Sequence, residues 1–133
     1  MRPTLNHLNG DKTMKYLMLL KASEKYRADG PPPALLEAMG KFVQESFKSG
    51  KVVDTGGLKP SSAATRLRVE KGKLTVTDGP FADAKEVIGG WAIVKVNSKA
   101  EAMENAREFL ELHRQHWPGW EGTSEVFEME EYG

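Results

Sequence analysis

The sequence contains no cysteine. Disulfide scaffolds, thiolate metal sites and thiol nucleophiles are therefore excluded. It also lacks net charge, with 19 Lys and Arg against 19 Asp and Glu. No global field exists to hold nucleic acid or an anionic membrane, so neither is an expected partner. No apolar run is long enough to span a bilayer. The richest run near the start, Tyr16 to Leu20, is short and has no small-residue cleavage site behind it, which predicts a soluble cytoplasmic protein. A His-Glu-x-x-His metal motif, a Gly-x-Ser-x-Gly elbow around Ser61-Ser62, a phosphate loop and a dinucleotide fingerprint are all missing, so no metal and no cofactor is expected.

What is present suits one domain of 133 residues, large enough to bury about two-thirds of its unfolded surface without covalent staples. Residues 1–13, with Pro3, Asn6, Asn9, Gly10 and Asp11 and no periodicity, read as a poorly ordered extension that adds little stability. The domain is expected over residues 14–133. From Glu121 onward there are five Glu and no Lys or Arg, which suits the solvated face of a terminal strand.

Tyr16 to Lys21 alternates as a strand with both faces apolar. Pro31-Pro32-Pro33 ends a polar loop and starts a helix whose stripe is Leu35, Leu36, Met39, Phe42, Val43 and Phe47. Val52 to Leu58 reads as a strand broken by Gly56-Gly57. Arg66 to Glu70 and Lys73 to Thr77 form a hairpin around Lys71-Gly72, and Val87 to Val96 is a long strand. Ser98 and Glu101 fit a capping box that opens a helix with the stripe Ala102, Met103, Ala106, Phe109, Leu110 and His113. Trp117-Pro118-Gly119 ends it, and Gly122 to Met129 is the last strand.

This order predicts an α+β, ferredoxin-like subunit with two helices on one face of an antiparallel sheet. Its second face should then be polar. Instead, Val87, Trp91 and Ile93 lie on one face of the long strand, and Ile88, Ala92, Val94 and Val96 on the other. A second apolar face predicts a homodimer packed sheet to sheet.

Several segments carry a resemblance. They are Met14-Lys15-Tyr16-Leu17-Met18-Leu19-Leu20, Gly56-Gly57-Leu58-Lys59-Pro60, Asp78-Gly79-Pro80-Phe81, Lys85-Glu86 and Gly89-Gly90. In that order they resemble the YCII-related proteins, in the branch named after its Asp-Gly-Pro-Phe motif. The resemblance implies a dimeric α/β barrel, as in the muconolactone-isomerase and monooxygenase relatives. It also implies a cleft with an acidic or histidine residue, and for some relatives a setting near sigma factors. Family members often carry Thr where this chain has Ala84, and end the last strand with Arg where it has Phe127.

Asp78 shares strand parity with Leu74 and Val76, so its carboxylate can face inward as an acid or base. Turn chemistry explains the same residue equally, because Asp accepts backbone N–H bonds and Pro fixes φ. Glu86 and Lys85 are candidates for positioning a polar substrate, or an ordinary loop ion pair. His113 is a candidate base, or a packed or carbonyl-capping histidine near a helix C-terminus. Phe81 and Trp91 are candidate ligand contacts or core aromatics. His113 and His116 are spaced for a metal, but no third ligand accompanies them. Two function classes follow. One is a small cofactor-independent enzyme with Asp78 as acid or base, assisted by Glu86 or His113. The other is a non-catalytic small-molecule-binding or regulatory module, linked to a sigma factor as the resemblance implies.

Overall fold

Alternation over Met14–Ala22 makes the first strand, β1, with Tyr16 and Met18 buried on one side and Leu17 and Leu19 half-buried on the other. The computed structural model describes residues 13–26 and 30–131. The expectation for residues 1–13 lies, except for Thr13, outside them. Helix α1 (Pro33–Lys48) starts with proline in its first turn, where the missing N–H costs nothing, and buries Leu35 completely. β2 (Val52–Gly57) follows, then a short 3-10 turn at Ser61–Ala63. β3 (Thr65–Glu70) and β4 (Lys73–Asp78) pair through Lys71 and Gly72, with φ of 52° and 79°. Two successive positive φ values match the twist of a tight hairpin, and Gly72 adopts its value without strain. β5 (Val87–Val96), α2 (Lys99–His116) and β6 (Gly122–Glu128) complete the chain. As expected, the Ser98 hydroxyl caps α2 by accepting from Glu101 N at 3.2 Å.

The main sheet has the order β2-β5-β1-β6, with every neighbouring pair antiparallel. With the β3–β4 hairpin set aside, the path is strand, helix, two strands, helix, strand, which is the ferredoxin-like plan. The hairpin forms a separate two-stranded sheet. The core lies between the main sheet and the helices, where Tyr16, Met18, Val52, Val94 and Val96 meet Ala102 and Ala106 of α2. Among the described residues, no helix is long and apolar enough to cross a membrane.

One expectation needs correction. Gly56 and Gly57 do not break β2, which continues through both. They permit close approach instead. Gly56 pairs with Trp91, and a Cβ there would lie 3.0 Å from the indole Nε1, while Gly57 pairs with Gly90. The irregularity of β2 sits earlier, as a register shift between Val52 and Asp54.

Candidate functional site between the sheet and the helices

A cavity of about 570 Å³ opens between the sheet and the two helices, within the range of small-molecule sites. Strand parity explains its floor. Gly57 of β2 and Gly90 of β5 are paired and fall on the helix side of the sheet, where neither has a side chain to fill the space. Ala92 and Ser124, also on that side, are small. Aromatic rings form the opposite wall. Phe42 lies 5.8 Å from Phe109, Phe109 lies 5.0 Å from His113, and His113 lies 4.5 Å from Trp120. Tyr26 closes one end against Trp117 and Trp120. Its hydroxyl donates to Gly119 O at 3.3 Å and accepts from Glu121 N at 3.1 Å.

His113 is 3% exposed, and its Nδ1 lies 2.9 Å from the Phe109 carbonyl oxygen. A carbonyl only accepts, so Nδ1 carries the hydrogen and Nε2 holds the lone pair. Burial pushes the His113 pKa below the ordinary histidine value, and the Phe109 carbonyl opposes that shift. The neutral tautomer with a basic Nε2 is therefore the resting state at neutral pH. Nε2 has no hydrogen-bond partner among the described residues. No described polar side-chain atom is both sealed and unpaired, so Nε2 stays reachable by solvent, and His113 is among the residues lining the cavity.

Asn105 repeats this pattern. It is 4% exposed, lines the cavity, and its amide has no partner among the described residues. Asn105, Phe109 and His113 are spaced four apart on α2 and so share one helix face. Asn105 was not singled out from the sequence. The available signal was a polar residue inside an apolar stripe.

The other candidates lie elsewhere. Asp78 ends β4, exposed, and its Oδ1 accepts from the Thr65 hydroxyl at 3.1 Å. The Asp78–Phe81 motif docks on the 3-10 turn. Gly79 N donates to Ala64 O at 2.8 Å, and Phe81 N donates to the Ser61 hydroxyl at 3.3 Å. Ser61 is held in turn by Glu24, whose carboxylate accepts from Ser61 N at 2.7 Å and from the Ser61 hydroxyl. Phe81 carries the Arg66 guanidinium 4.2 Å from its ring centroid. Lys85 and Glu86 are exposed in the loop before β5. None of Asp78, Phe81, Lys85 and Glu86 lines the cavity. Trp91 does, but its register places the indole on the far face of the sheet, so its contribution is main chain. Among the described residues, no three His, Asp or Glu side chains cluster to hold a metal ion.

The sequence profile of the YCII-related domain matches residues 13–109. The chain belongs to the YCII-related family. The match takes in Asn105 and Phe109 and ends four residues before His113. An uncharacterised protein of Rhizobium meliloti is similar at 38% identity over 67 residues, which cover 50% of this YCII-related chain and 54% of the relative. The chain thus spans about half the length of the curated relative it matches.

Proposed function

We propose that this YCII-related protein binds a small organic molecule between its sheet and helices, and that His113 acts on it as a general base. The observation that carries this reading is the His113 ring, tied at Nδ1 to the Phe109 carbonyl and open at Nε2. In a cofactor-independent reaction, Nε2 takes a proton from the bound molecule and returns it at another atom. The imidazolium and the anion formed together compensate each other's charge in an apolar site. The acid–base role considered for Asp78, with Glu86 assisting, falls in this reading on His113.

The test is a pH titration of His113 by nitrogen-detected NMR. The Nδ1–H tautomer should dominate, with a pKa below the free-histidine value of about 6.5. A depressed pKa also fixes the sign of the stability change. The unfolded chain takes up the proton first, so the stability that neutral His113 contributes is present above the unfolded pKa. It is lost as pH falls through the folded pKa. His113→Phe should flatten this acid dependence and abolish turnover of any substrate found. A normal or raised pKa, or an Nε2–H tautomer, overturns the assignment.

The same proposal includes a homodimer formed on the open face of the sheet. Leu17, Leu19, Trp91 and Ile93 are only half-buried there, and Phe127 is 50% exposed. The hairpin adds a second uncovered surface. Leu67 pairs with Val76 and Val69 with Leu74, and all four are at least 63% exposed. An isolated two-stranded sheet is marginal in water, so this apolar face favours a covering partner, and a second copy supplies one.

A further inference from the structure

Among the described residues, no Lys, Arg, Asp or Glu lines the cavity. Yet Asn105 and His113 each present a polar group with no partner among the described residues, at 4% and 3% exposure. Neither group is sealed off, so each is open to a ligand or a water that completes it. Eight residues apart on one face of α2, they are separated by about 12 Å along the helix axis. Between them on the same helix face stands Phe109, which lines the cavity together with the paired Gly57 and Gly90, neither of which has a side chain to fill it.

We infer that the ligand is a neutral, planar, aromatic-sized molecule that donates a hydrogen bond from an O–H or N–H group to His113 Nε2 and pairs a second polar group with Asn105. This rests on the reading of the cavity as a small-molecule site with His113 as its base. Each part follows from chemistry at the site. A carboxylate or phosphate would meet no cation among the described lining residues to offset its lost hydration. A hydrogen-bond acceptor such as an ether gives the Nε2 lone pair nothing. A flat ring gains most from the aromatic wall of Phe42, Phe109 and Trp120 and from the space left by Gly57 and Gly90, which a branched aliphatic body uses less well.

The experiment measures dissociation constants of four probes on the full chain by calorimetry: β-naphthol, β-methoxynaphthalene, β-naphthoate and naphthalene. β-Naphthol should bind at least about tenfold more tightly than each of the others, the step expected of one buried hydrogen bond. In His113→Phe, whose ring keeps the packing against Phe109 and Trp120, β-naphthol and β-methoxynaphthalene should become equal. Asn105→Leu should retain the preference for β-naphthol. It should lose the further gain over β-naphthol that a fifth probe, 2,6-dihydroxynaphthalene, shows on the unaltered chain; no such gain there overturns the pairing with Asn105. Tightest binding of β-naphthoate overturns the neutral class while leaving the cavity as a small-molecule site. Equal binding of β-naphthol and β-methoxynaphthalene to the unaltered protein overturns the donor requirement. No binding of any probe overturns the cavity reading itself. These comparisons on the unaltered chain hold whether or not a variant folds.

Discussion

Gly79→Ala should destabilise the protein by more than about 3 kcal/mol, among the largest effects of any single methyl addition in the chain. A Cβ at Gly79 would lie 1.7 Å from Ser61 O and 2.7 Å from Ser61 C. Both are main-chain atoms, so no rotamer change relieves the overlap. The Asp78–Phe81 segment would have to lift off the 3-10 turn and give up the bonds from Gly79 N to Ala64 O and from Phe81 N to the Ser61 hydroxyl. A domain of this size should then melt at least about 6 °C lower. Urea or thermal melts check it. A loss below about 1 kcal/mol would mean that the motif does not dock on this turn. Asp78→Ala removes only an exposed bond to Thr65 and should cost less than about 1 kcal/mol. The two variants therefore separate the packing of the motif from the chemistry of its acid.

Aspartate at two adjacent positions of β5 should fail in two different ways. Val94 is fully buried, paired with Tyr16 on the helix side of the sheet. Val94→Asp places an unpaired carboxylate in the core and should cost more than about 4 kcal/mol, so that no cooperative folding transition remains at neutral pH. Ile93 points to the open face, opposite Leu17 and half-buried in the single chain. In a dimer closed over that face, Ile93→Asp should cut association by several hundredfold or more while the subunit keeps its secondary structure. Light scattering at micromolar concentration should return twice 14.8 kDa for the unaltered chain and 14.8 kDa for Ile93→Asp. A mass of 14.8 kDa for the unaltered chain would sink the dimer.

Local signals carried most of the fold. Alternation in β1 and β5, the proline start of α1 and the Ser98 cap each act within a few residues, and each element stands where its pattern placed it. Gly56 misled because glycine as a strand breaker and glycine under a partner's indole look alike in sequence. Only the pairing with Trp91, 35 positions on, tells them apart. The burial of His113 was legible, because it continues an apolar helical stripe. The exposed position of Asp78, away from the cavity, was not legible. Where that residue lies depends on the hairpin docking to Ser61, and Ser61 is anchored by Glu24, 37 residues away. No local pattern encodes a contact of that range. Asn105 belongs to the same stripe as His113, and its unmet amide becomes visible only once burial is known.

An uncharged cavity also sets how the medium acts on its occupant. Ionic screening has no pair to weaken there, so raising salt should leave affinity for a neutral ligand nearly flat. Strongly hydrated salts, which penalise exposed apolar surface, should tighten it slightly. With no charged side chain among the described lining residues, the rate of capture should depend on diffusion and on ring surfaces shedding water. The thermal signature should be a negative heat-capacity change rather than a dependence on counterions. Under the proposed reading, binding should respond to the hydrophobicity of a solute and the presence of one transferable proton, and be nearly indifferent to the ionic composition around it.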